Sequence, residues 1–345
     1  MRVLIVSDAW VPQVNGVVTS LQALMSELRG MGHEVKLLSP ADFRSIPCPT
    51  YPEISLVWDL WRLGPALKAF QPDCVHLATE GPLGWAARRW LNKRNLAFSS
   101  AIHTRYPEYV STRCAWIPLR WGYAYLRRFH RSSQAVLVTT EHLRTEFSSW
   151  GLQRLKLWRK GVDTRLFKPL ETHEEGVKPV FLYVGRIAPE KNLEAFLTLD
   201  LPGIKRVVGD GPQRQALQHQ YPQVEFMGYR HAEELAREYQ QASVLVFPSL
   251  TDTYGLVMLE ALACGTPVAA FAVRGPLDVL QQGITGFMHE DLGHACMQAL
   301  KLSRERCAIE AARQSWQVSA QEFMAEQPLL DGELQQVLAY GASEN

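Results

Sequence analysis

Two short segments of the 345-residue chain carry residue types suited to handling an anion. The first is Gly185-Arg186-Ile187-Ala188-Pro189-Glu190-Lys191-Asn192, which follows an apolar run and precedes a helical pattern. Gly185 permits a tight turn, and a helix start points unpaired N–H groups outward. Arg186 has the geometry to grip a phosphate through two donors, and Lys191 acts as a point charge. Two fixed cations of this kind suit a leaving group that gathers negative charge, without a metal. Read alone, the segment is equally an ordinary solvated basic turn. The second segment is Pro248–Val268, where Asp252 stands in a loop and Glu260 lies eight positions on, inside the following helix. The residues between them, Thr253-Tyr254-Gly255-Leu256, open that helix and offer amides to phosphate or hydroxyl oxygens. Gly255 admits close backbone approach, and Glu260 is placed to accept from a ribose diol. Alone, Asp252 and Glu260 read more simply as a helix cap and a surface carboxylate. No Ser/His/Asp arrangement competes with these residues, and no isolated reactive cysteine does.

The elements that position them follow a βαβ rhythm. Arg2–Ser7, Glu34–Ser39, Asp73–Ala78, Phe98–His103 and Ala135–Thr140 read as buried strands, and Val17–Leu28 as an amphipathic helix. A polar stretch between Gly161 and Pro179 reads as a linker. The rhythm then restarts with strands at Pro179–Gly185, Ile204–Gly209, Val224–Gly228, Val244–Ser249 and Pro267–Ala272, and helical segments run from Leu292 to about Leu338. Two doubly wound parallel sheets in tandem are expected, with ligands at the carboxyl ends of their strands.

Composition agrees with a globular enzyme: 47% of residues are hydrophobic and 21% charged, which excludes a disordered chain. No apolar run approaches the roughly 18 residues of a spanning helix. Met1 leads directly into the apolar run Val3–Val6 with no signal-peptide h-region. The six cysteines, Cys48, Cys74, Cys114, Cys264, Cys296 and Cys307, form no CxxC. A zinc site or disulfide framework is therefore not expected, and a reducing cytoplasm is. The net charge of +1 hides a division: residues 1–170 hold 23 Lys and Arg against 12 Asp and Glu, a net +11, and the remainder a net −10. The basic half contains Arg113–Arg131, in which five arginines alternate with Trp116, Trp121, Tyr123, Tyr125 and Phe129, and Trp85–Arg94 has the same character. That pattern fits docking on an anionic membrane surface. A core helix beneath a basic face is the competing reading. A nucleic-acid patch is disfavoured because no nucleic-acid motif accompanies it.

Taken in order, Gly185-Arg186, Lys191, Val208-Gly209-Asp210-Gly211-Pro212 and a carboxylate at 252 followed by Glu260 resemble glycosyltransferase family 4 of the GT-B fold. The likeness covers nearly the whole chain and is densest from Pro179 to Gly286. It implies two Rossmann-like domains, 1–165 on the acceptor side and 166–319 on the donor side, with a C-terminal helix, 320–345, packing back on the first. It also implies an active site in the cleft between them. The implied reaction moves a hexose, with retention and without metal or cofactor, from a nucleotide-diphosphate sugar of the UDP-glucose or GDP-mannose type. The implied acceptor is a membrane lipid such as diacylglycerol, or a glycolipid, and the implied location is the inner face of the cytoplasmic membrane. At matched positions Arg186 and Lys191 hold the diphosphate and Glu260 the ribose. Asp252 contacts the transferred sugar beside the amides of Tyr254, Gly255 and Leu256, Gly185 turns the phosphate loop, and Gly228 lies near the base. In the first domain Gly16 closes over the phosphates, Asp8, Arg105 and Tyr106 lie on the acceptor side, and His103 lies against the donor sugar. No Asp-x-Asp metal pair occurs. The chain departs from the common family pattern in three places: Asp252 replaces Glu, Tyr254 replaces Phe, and the stretch from Lys191 to Gly209 is short. A GT-B epimerase or hydrolase, or a non-catalytic lipid- or sugar-nucleotide-binding protein, are the alternatives the same motifs allow.

Overall fold

The computed structural model describes residues 1–13, 15–48, 51–103, 107, 118–170, 178–252 and 254–330. The chain divides into two compact units, Met1–Arg159 together with the stretch from Ser319 onward, and Lys160–Val318. The division comes six residues before the 165/166 boundary drawn from the polar stretch. The reason is that Val162 and Phe167 are buried in the apolar cluster of the second unit.

In the first unit the strands are β1 (Arg2–Val6), β2 (Glu34–Leu38), β3 (Ser45–Cys48), β4 (Tyr51–Val57), β5 (Cys74–Leu77), β6 (Ser99–Ile102), β7 (Ala135–Val138) and β8 (Leu155–Leu157). Six form a parallel sheet in the order β2-β1-β5-β6-β7-β8, and β3 and β4 form a separate antiparallel hairpin. Val3, Leu4, Ile5 and Val6 are wholly buried on both sides. A strand covered on both faces calls for a continuous apolar run rather than an alternating one. The helix Gly16–Gly30 begins where Asn15 accepts from the Val17 and Val18 amides, satisfying donors the helix itself leaves open. It buries Leu21, Leu24, Met25 and Leu28, the stripe its periodicity predicts. Ala320 and Phe323 of the helix Trp316–Ala325 pack on the same sheet face, beside Ile5 and Trp158.

In the second unit the strands are β9 (Val180–Val184), β10 (Ile204–Val208), β11 (Glu225–Gly228), β12 (Val244–Phe247), β13 (Val268–Ala270) and β14 (Gly286–Met288). They form one parallel sheet in the order β11-β10-β9-β12-β13-β14. From β9 the chain moves outward in one direction, then returns to β12 and moves outward in the other. The reversal lies between β9 and β12, and in such sheets ligands bind at the carboxyl ends of the strands there. The helix after β9, Glu194–Leu197, has four residues, as the short stretch between Lys191 and Gly209 foretold. The hairpin, β8 and β14 are the strands that the sequence pattern did not announce.

Candidate active site

Both segments singled out for their chemistry emerge at the reversal point of the second sheet, one after β9 and the other after the neighbouring β12. The side chains then tie the two loops together. Lys191 Nζ donates to Asp252 Oδ1 at 2.5 Å, Asn192 Nδ2 donates to the Pro248 carbonyl at 3.1 Å, and the Thr251 hydroxyl reaches the Glu190 carbonyl at 3.3 Å. Lys191 and Asp252 are each about a quarter exposed, so both remain open to a ligand. The shorter Asp at 252 is therefore in direct contact with the cation of the facing loop. Arg186 is exposed, and among the described residues no carboxylate pairs with its guanidinium. Its backbone is held from beneath, because the buried Tyr183 hydroxyl donates to the Arg186 carbonyl at 2.8 Å. Burial raises the Tyr183 phenol far above its ordinary range, and the Asp252 and Glu190 carboxylates push it further the same way. It stays a neutral donor.

Gly255 occupies the N-cap of the helix Leu256–Ala263 with φ +78°, a left-handed conformation that disfavours a side chain. A Cβ there would also lie 2.9 Å from Met258 Cε and Phe247 Cζ. Among the described residues no side chain caps this helix, which leaves its first amides for another acceptor. One turn further in, Glu260 accepts from the Tyr239 hydroxyl at 2.7 Å. Burial raises the Glu260 carboxyl above its usual range, and the Tyr239 bond partly offsets this. Glu260 is a half-buried carboxylate with a fixed partner rather than a surface charge. Gly185 and Gly228 lie at the ends of β9 and β11, with φ +152° and +74°.

In the first unit, Asp8 follows β1 and engages the loop after β5, again at the point where strand order reverses. Its carboxylate accepts from the Leu83 and Gly84 amides at 2.8 and 3.1 Å, at the start of the helix Pro82–Asn92, and from the Thr79 hydroxyl at 2.9 Å. Removal from water raises its pKa, and the two amides and the hydroxyl work against that rise. Gly16 forms the first turn of its helix, immediately after Asn15. His103 follows β6, its ring edge-on to Trp158 with centroids 5.5 Å apart. Trp158 is in turn held by the Ser319 carbonyl and hydroxyl at 3.2 and 3.0 Å. Arg105 and Tyr106, like Thr253, lie outside the described residues.

Of the residues now seen to support the site, Tyr183, Asn192 and Tyr239 were not singled out in the sequence. Asn192 closes the first motif and was within reach of such a reading. Tyr183 sits in an unremarkable strand, and Tyr239 meets Glu260 only through the packing of two helices.

The match with known sequences covers both units. Residues 14–166 fit the family described as Glycosyltransferase Family 4, and residues 178–302 fit Glycosyl transferases group 1. A GDP-mannose-dependent alpha-mannosyltransferase of Mycobacterium tuberculosis is 30% identical over 94% of this chain and 95% of its own length. The chain belongs to glycosyltransferase family 4. It is a nucleotide-sugar-dependent hexosyltransferase with two Rossmann-like GT-B domains. An alpha-monoglucosyldiacylglycerol synthase of Streptococcus pneumoniae is 26% identical over 94% of this glycosyltransferase and 83% of its own length. The fold has a solved counterpart in sucrose-phosphate synthase from Thermosynechococcus elongatus, with TM-score 0.75 and 20% identity over 99% of this chain and all of that one. Among the described residues no helix is long and apolar enough to cross a membrane.

Proposed function

We propose that this glycosyltransferase moves a hexose, with retention and without a metal, from a GDP- or UDP-linked donor to the hydroxyl of a lipid or glycolipid on the inner face of the cytoplasmic membrane. The observation that carries the donor side is the convergence of Lys191 and Asp252 at 2.5 Å, from adjacent strand ends at the sheet reversal. An ammonium has three donors. With one given to Asp252, the others serve phosphate oxygens, while Asp252 keeps an oxygen for a sugar hydroxyl. Arg186 supplies the second cation, and the amides of Gly255 and Leu256 add neutral donors. As the C1–oxygen bond breaks, both electrons pass to the phosphate oxygen, and these groups stabilise the charge that forms. The acceptor oxygen attacks the same face of the sugar, and the departing phosphate oxygen takes its proton. His103 holds sugar hydroxyls rather than forming a covalent bond.

For the acceptor, the support is the relative named as an alpha-monoglucosyldiacylglycerol synthase together with an exposed basic and aromatic surface. Trp121 is 58% exposed on the helix Leu119–His130, flanked by exposed Arg120 and Arg128, whereas Tyr123 and Phe129 are core residues. The test incubates the enzyme with GDP-mannose or UDP-glucose, with diacylglycerol or a membrane glycolipid extract, and with excess EDTA. An α-glycoside by proton NMR, formed despite the chelator, is expected. A β-linked product, or activity lost to EDTA and restored by magnesium or manganese, would overturn the reaction as written.

A further inference from the structure

Tyr254 lies in the donor loop between Asp252 and Gly255, and its ring is buried in the same apolar cluster as Val162, Phe247 and Met258. Its hydroxyl points away from that cluster's apolar interior. It lies 3.1 Å from Gln314 Oε1 and 3.4 Å from the Lys160 carbonyl oxygen. Lys160 is the first residue of the second unit, and Gln314 lies four residues before its last, Val318. These entry and exit segments are themselves paired. The Val162 N–H donates to the Gln314 carbonyl at 2.8 Å, and the Trp316 N–H donates to the Val162 carbonyl at 3.3 Å. They pass so closely that a Cβ on Gly161 would lie 2.4 Å from the Trp316 nitrogen.

We propose that Tyr254 is a positioning residue whose hydroxyl locks the donor loop to the paired entry and exit segments of the second unit. The inference rests on the reading of residues 252–256 as a donor site. Apolar packing alone does not call for the hydroxyl, since the ring of phenylalanine would fill the same cluster. A buried hydroxyl is costly unless bonded, so retaining it ties the loop wherever its acceptors are. Among the described residues no side chain caps the helix that follows. Lys191 holds the loop on one side through Asp252, and the Tyr254 hydroxyl holds it on the other.

The test compares Tyr254→Phe, Gln314→Met and the double variant. Calorimetric titration of the parent with GDP and with UDP comes first. If neither nucleotide binds, the donor-site reading falls and the role of Tyr254 falls with it. With binding established, Tyr254→Phe and Gln314→Met should each lower kcat/KM for the donor about three- to tenfold, the scale of one buried hydrogen bond. The acceptor KM should not change, and the double variant should be no worse than either single change. Single effects that multiply in the double variant would overturn the coupling. A Tyr254→Phe enzyme with a lowered melting midpoint but the parent's donor kinetics would make the hydroxyl a packing detail and overturn the proposal, leaving the donor site intact.

Discussion

The cations at the end of β9 differ in how they are held. Arg186 is exposed, and its backbone is supported by Tyr183 through the Arg186 carbonyl. Lys191 is fixed at its charged end by Asp252. Removing a preorganised donor from a site of developing charge typically costs about 10²–10³ in rate. Arg186→Ala and Lys191→Ala should therefore each lower kcat by about that factor, measured at saturating donor, with circular dichroism unchanged. Lys191→Ala should in addition raise the donor KM, because it leaves Asp252 without its partner. A variant within threefold of the parent would identify its side chain as an ordinary surface charge.

Pairs of elements set the state of the second carboxylate. Tyr239 is carried by the helix Ala232–Gln241 and reaches across to Glu260 on the helix Leu256–Ala263. Burial favours the neutral form of Glu260, and the bond from Tyr239 favours the charged form. Because the folded-state pKa lies above the unfolded value, the folded protein binds more protons between the two. In that window stability falls as pH rises. Deleting the bond with Tyr239→Phe removes the influence that lowers the pKa and moves it further up. The acid limb of the pH profile of donor kcat/KM should then shift to higher pH, while the alkaline limb stays in place. An unshifted acid limb would mean that Glu260 does not titrate with donor use.

Across the whole molecule, the modest basic excess lies in the first unit, 20 Lys and Arg against 16 Asp and Glu, and that unit carries the exposed Trp121. In the helix Leu119–His130 the structure splits the two readings of the basic aromatic segment. Tyr123 stacks on Trp150 with centroids 4.1 Å apart, and Arg127 Nη1 donates to the Trp150 carbonyl at 2.8 Å, so these residues serve the core. Arg120, Trp121 and Arg128 face outward. The helix Pro82–Asn92 adds to this face: the Arg88 side chain donates to the Phe129 carbonyl at 2.6 Å and lies over the Trp85 ring. The nearby Arg131 and Arg128 charges add to burial in lowering its pKa. Each basic residue at an anionic surface contributes about 1 kcal/mol. Reversing Arg120 and Arg128 to Glu should weaken sedimentation with phosphatidylglycerol vesicles at least tenfold and remove the salt dependence. Equal binding of parent and variant to charged and neutral vesicles would return this face to the solvent.

The sequence by itself determined ten of the fourteen described strands, their parallel character in two domains, and the family. Those depend on local runs such as Val3–Val6 and Val180–Val184 and on motif spacing, which neighbouring residues alone express. It also placed Arg186, Lys191, Asp252 and Glu260 in one inventory, because each stands at a fixed distance from a strand end. Only the tertiary structure decided what those groups touch. That Lys191 meets Asp252 follows from β9 and β12 being neighbours in the sheet although the chain visits β10 and β11 between them. That Glu260 is bonded to Tyr239, and Tyr254 to Gln314, follows from helices and connecting segments packed across sequence separations no periodicity encodes. A motif records which groups are present. Their partners, and hence their charge and aim, depend on strand order and burial, which emerge when the sheet is assembled.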